Sequence, residues 1–121
     1  MKKTFNSMNE PEARLPVHLW IDAHLKPLND QGIFYYIQQR GERNTGTILL
    51  KISRLDGICL LLVQQRDLDG KLGWMNALRK EHVEEADADQ YIQRAISRDP
   101  DLWVIEIEDR DLNNPFEGNL I

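Results

Sequence analysis

The chain has little of what staples, coordinates or anchors a protein. It holds one cysteine, Cys59, so no intrachain disulfide can form, and such usage suits a reducing compartment. Its three histidines, His18, His24 and His82, form no HExxH, and no paired Cys/His spacing is present, which argues against a zinc site. Gly41, Gly46, Gly57 and Gly70 are spread over turns, and neither GxxxxGK[ST] nor GxGxxG occurs, so a glycine-rich phosphate loop is excluded. Ser7, Ser53 and Ser97 lack the setting of a nucleophile elbow. The longest unbroken apolar run is Ile58–Val63, far short of the roughly 20 residues that span a bilayer. Met1-Lys2-Lys3 opens like a signal peptide, but no apolar stretch follows it. Positive charge is in the minority, with 15 basic against 20 acidic residues and a net charge of −5. Such a balance withholds the electrostatic term that nucleic acids and anionic membranes require. These absences lead to the expectation of a soluble, cytoplasmic protein with neither nucleic acid nor membrane as partner.

What is present is an ordinary globular composition. The 121 residues are 41% hydrophobic and 29% charged, enough for one folded domain. A domain of this size buries roughly 65% of its unfolded surface. Residues 1–14 are polar and without periodicity, and read as a loose arm. From Leu15 to Gly32 alternation and helical spacing compete. Val17, Trp20, Ile21, His24 and Leu28 fit a helix near Val17–Asn29, with Gly32 as its stop and a bend at Pro27.

Ile33–Arg40, Thr47–Arg54, Ile58–Arg66 and Lys71–Ala77 read as strands joined by glycine-bearing turns, an antiparallel meander. Leu78–Val83 is a connector. Glu84–Arg98 is the clearest helix, with Ala88, Tyr91, Ile92, Ala95 and Ile96 in one stripe. Glu84, Glu85 and Asp87 at its start and Arg94 and Arg98 toward its end suit the helix dipole. After Asp99-Pro100-Asp101 a last strand alternates Trp103, Ile105 and Ile107 against Glu106 and Glu108. Residues 112–121 read as an irregular tail, with Phe116, Leu120 and Ile121 able to dock. The order α-β-β-β-β-α-β predicts a single α+β domain over residues 15–111, a four- to five-stranded, mainly antiparallel sheet with two helices.

An ordered set of blocks is recognisable: RLPVHLWIDAHL, then RG followed by GTILLKISRLDG, then RDLDGKLGW, then ADADQYIQRAISRDPDLWVIEIEDR. From Leu15 to Arg110 the chain resembles the alphaproteobacterial family catalogued as domain of unknown function 1491. The resemblance implies a bacterial cytoplasmic protein of that family's fold and brings no activity, cofactor or catalytic residue with it. It also implies an uninterrupted first helix, from which Lys26-Pro27 departs.

Two arrangements bear on function. Glu106 and Glu108 leave the same face of the last strand, their Cβ atoms about 7 Å apart. With Asp109 they would suit a hard divalent cation such as Mg²⁺ or Mn²⁺, and Arg110 would hold an anionic substrate. The plainer reading is a solvated strand face. Asp67-Leu68-Asp69-Gly70 imitates the start of a calcium loop, but its glycine comes too early, and a hairpin turn is the better reading. The second arrangement is aromatic. Phe34, Tyr35 and Tyr36 are consecutive on a strand and point to both faces, so they cannot share one small cluster: either helices cover both faces, the plainer reading, or one face offers aromatics to a partner. Aromatics and arginine dominate binding hot spots, so Arg110, Trp74 and Tyr35 are the candidate binding residues. No catalytic constellation is present. The expectation is a non-enzymatic module for a protein partner or a second copy of the chain, without a cofactor; the alternative is a small metal-assisted enzyme acting on an anionic small molecule.

Overall fold

The computed structural model describes residues 15–121, and the loose arm expected for residues 1–14 lies outside them. Helix α1 spans Val17–Asp30 and runs through Pro27. Gly32, at φ +72°, ends it in a conformation that costs glycine little. Strands β1 Tyr35–Gln39, β2 Ile48–Ser53, β3 Ile58–Arg66 and β4 Leu72–Asn76 follow. A short β5, Val83–Glu84, leads into α2, Glu85–Arg98, then β6, Trp103–Glu108, and β7, Asn119–Leu120. No helix among the described residues is long and apolar enough to cross a membrane.

The class is α+β, as expected, but the sheet is larger and mixed. Its seven strands run β1-β6-β2-β3-β4-β7, with β5 beside β3. The β2-β3-β4 run is the predicted antiparallel meander; β2–β6 and β4–β7 are parallel. The expected β1–β2 neighbours are separated by β6, which pairs with both. Burial explains the insertion. Trp103–Ile107 is buried residue by residue, so β6 needs a strand on each side and cannot lie at an edge.

The Gly41–Gly46 loop is therefore an arch across the start of β6, not a hairpin. A Cβ on Gly41 or Gly46 would collide with the Asp101 carbonyl and the Trp103 ring. The same loop supplies what Pro16 cannot, because the first N–H groups of α1 need acceptors. Val17 and His18 donate to the carbonyls of Asn44 and Arg43 at 3.2 and 2.9 Å. The Glu42 carboxyl, held below its ordinary range by the backbone N–H groups of Asn44 and Thr45, braces the turn.

Alternation divides the core in two. Ile48, Leu50 and Ile52 of β2 join Trp103, Ile105 and Ile107 of β6 under Ile21, Leu25 and Leu28 of α1. Leu49, Cys59, Leu61 and Val104 face Ala88, Ile92 and Ala95 of α2. Each fully buried leucine or isoleucine contributes about 1.5–3 kcal/mol. Burial first, and then the charges of Glu85, Asp89 and Glu106 against that of Lys51, push the Cys59 thiol up to about 11, as expected of a small core residue rather than a nucleophile. The tail is not wholly irregular: Phe116 stacks on Trp20 and packs against Trp74, and β7 extends the sheet.

Candidate functional site

One position breaks the apolar pattern of the central strands. Lys51 lies in β2, which is buried throughout, and is 2% exposed. Its odd-numbered register turns it to the α2 face, with Leu49 and Ser53. In the sheet its parallel neighbour is Glu106, and the antiparallel neighbour of Glu106 is Tyr36. A single row across three strands thus reads Tyr36, Glu106, Lys51. Above it α2 sets Glu85 and Asp89 four residues apart on one face.

The ammonium of Lys51 donates to Glu85 Oε2 at 2.8 Å and Asp89 Oδ1 at 2.7 Å, with Glu106 Oε1 at 3.6 Å. Glu106 Oε1 also accepts from Tyr36 Oη at 3.1 Å and Gln38 Nε2 at 2.9 Å. Burial by itself disfavours the lysine charge, but the bonds to Asp89 and Glu85 and the charge of Glu106 outweigh it, holding Lys51 above its ordinary range. Burial, the bond to Glu106 and its charge together raise Tyr36. A lysine held protonated is neither nucleophile nor general base, because both roles need the free amine. The row opens on a depression of about 360 Å³ between β1 and α2, rimmed by Tyr36, Gln38 and Gln93.

Strand β1 is the outer edge of the sheet. Glu108 N–H bonds the Phe34 carbonyl at 2.9 Å, which makes 34·108 and 36·106 the hydrogen-bonded pairs. The backbone groups of Tyr35 and Ile37 therefore point away from β6, and no other described residue takes them up. Phe34 and Tyr36, 56% and 44% exposed, lean together on the α2 side with ring centroids 5.9 Å apart. The ladder slips between Ile37 and Gln39, so the regular edge is short.

The residues singled out from sequence fare differently. Glu106 is 7% exposed and committed to Lys51, Tyr36 and Gln38. Glu108 is half-buried at the end of β6. Asp109 accepts from the backbone N–H groups of Asp111 and Asn113, each at 3.1 Å, and shapes the turn into the tail. Among the described residues no three His, Cys, Asp or Glu side chains come together to hold a metal ion, and these three carboxylates form no ligand set. Asp67 Oδ1 accepts from Asp69 N–H and Lys71 N–H, so DLDG is a hairpin turn. Trp74, expected at a contact surface, is 1% exposed, and its indole donates to the Glu117 carbonyl at 2.9 Å, closing it under the tail. Tyr35 packs on the α1 core. Arg110 is exposed. Sequence reasoning did not single out Lys51, Glu85, Asp89, Gln38 or Tyr36 as a group; its signals were a lone lysine in an apolar strand and two acids four apart on α2.

The profile of a family described as a protein of unknown function (DUF1491) matches residues 15–117. The chain belongs to the DUF1491 family. The resemblance read from its sequence blocks thus holds across both helices and the six strands from β1 to β6. The DUF1491 fold seen here is similar to a crystal structure of a family protein from Caulobacter crescentus CB15, with 31% identity, a TM-score of 0.78, and 88% of this chain and 99% of that one covered. A solution structure of a DUF1491 protein from the same organism matches at 31% identity and TM-score 0.75, over 88% of this chain and 96% of the other. Protein Atu0922 from A. tumefaciens, 22% identical with 79% and 86% of the two chains covered, shares the fold at TM-score 0.64. No curated protein matches this sequence. Membership brings a fold and no assigned activity.

Proposed function

We propose that this DUF1491 protein is a non-enzymatic interaction module, and that β1 is its contact strand, receiving an extended segment of another protein. The single observation that carries this reading is the outward-facing backbone of Tyr35 and Ile37 beside the exposed rings of Phe34 and Tyr36. An edge strand with open N–H and C=O groups is a template for strand addition, and neighbouring side chains supply selectivity. The slip after Ile37 limits the number of backbone bonds, so the aromatic pair must contribute a large share of the contact. Lys51 and its carboxylates support the module reading too, since they lock α2 to the sheet and leave the amine no catalytic role.

The test is to select peptides from a displayed random library on the full chain, then measure binding of the best one to wild type and to Ile37→Pro. Proline at that position removes an outward N–H and no bond to β6. The expected result is a loss of about tenfold or more in affinity, with amide shifts centred on Tyr35–Ile37 in wild type. Selected peptides that bind both proteins equally, or shift amides elsewhere, sink the proposal. Thermal melts of both proteins keep a folding defect separate from a binding one.

A further inference from the structure

The open edge of β1 and the depression beside it are continuous, because Tyr36 and Gln38 belong to both. Charge and donor count say what that surface would accept. The ammonium of Lys51 is spent on Glu85 Oε2 and Asp89 Oδ1, and its third proton faces Glu106. The second oxygens of Glu85, Asp89 and Glu106 meet no donor among the described residues. Three carboxylates against one ammonium leave two negative charges in the group. Glu85 and Asp89 are about half exposed, at 42% and 52% of their side chains, whereas Lys51 is shut in. A ligand entering from β1 therefore meets acceptor oxygens and never the ammonium.

The Tyr36 ring lines the depression with the exposed Phe34 ring leaning against it, and aromatic faces attract cations. A planar guanidinium suits such a mouth, with its rigid fork of donors for carboxylates and its affinity for ring faces. The span fits as well. Strands stand about 4.8 Å apart, so Glu106 lies two spacings from an added strand, a distance that arginine and glutamate side chains bridge together.

We infer that the occupant of β1 is a basic extended segment of a partner protein, one arginine of which crosses Tyr36 into the depression and pairs with Asp89 and Glu106. This rests on the edge-strand reading above and names the chemistry of its partner. A second copy is disfavoured by charge: each chain carries −5, and antiparallel pairing of two β1 strands would set two acidic depressions on one face of the joined sheet.

Two synthetic octapeptides of alternating threonine and valine test it, one with two adjacent central arginines so that one faces α2 in either register, the other with citrulline at both places. Each is titrated into the isotope-labelled full chain while amide shifts are followed. The arginine peptide should bind about tenfold tighter, and Gln93→Lys, a change at the exposed rim, should abolish that preference while leaving the citrulline peptide unaffected. Equal binding of both peptides at Tyr35–Ile37 overturns the arginine site and leaves the edge-strand reading standing. No shift at β1 with either peptide overturns both readings. A concentration-dependent dimer with β1 amides protected from exchange makes the occupant a second copy and overturns the inference.

Discussion

Lys51 Nζ and Asp89 Oδ1 meet at 2.7 Å between the sheet and α2, 38 residues apart in the chain. Together with the Glu85 contact it joins the most buried strand to a helix whose buried apolar residues are Ala88, Ile92 and Ala95. It also stabilises a charge that β2 alone could not tolerate, since an unpaired buried ammonium costs several kcal/mol.

Replacing Lys51 by Met should destabilise the protein by about 2–3 kcal/mol, less than for a fully buried pair because Glu85 and Asp89 keep contact with water. Most of the loss comes from Glu106, left with little solvent beside an apolar chain. Combining Lys51→Met with Glu106→Gln should therefore cost less than the sum of the two changes. Urea unfolding of the four proteins measures the coupling, and strict additivity would show that the two residues do not share a charge pair.

Alkaline pH should weaken the fold through the same group. Lys51 is raised in the folded state, so its contribution is complete below the ordinary lysine value near 10.5 and is lost as pH climbs through the folded value. Tyr36 is raised as well, and above about pH 10 the unfolded chain, whose tyrosine ionises first, is favoured. The urea midpoint should thus show no dependence on these two groups from pH 7 to about 9.5 and fall beyond it. Lys51→Met with Tyr36→Phe should flatten that fall; an unchanged slope would assign it to other groups.

Phe116 decides whether the tail belongs to the core. Its ring centroid lies 5.3 Å from that of Trp20 and 5.6 Å from that of Trp74. Phe116→Ala should cost about 3 kcal/mol and change the tryptophan fluorescence of the native state. A thermal midpoint within a degree or two of wild type would mean that the tail rests on the core without stabilising it.

Much of the architecture was legible in the chain. The period of α2, the alternation of β2 and β6 and the Gly57 and Gly70 turns are local signals, and both glycines adopt positive φ as their turns require. Trp74 lies under the tail and not at a contact surface, because composition counts aromatics but cannot tell which of them a tail will cover. Glu106 stands beside Glu108 and Asp109 in sequence, but its working partners, Tyr36, Gln38 and Lys51, arrive from β1 and β2.

The sequence by itself determined both helices, five of the seven strands and the family, because helical and strand periods are set by steps of a few residues. Tertiary structure alone decided that β6 lies between β1 and β2, that β1 is left at the edge, and that Lys51 is neutralised by three distant carboxylates. Those outcomes depend on which buried strand needs two neighbours and which charge must find partners once water is excluded, and no short window of sequence contains either requirement.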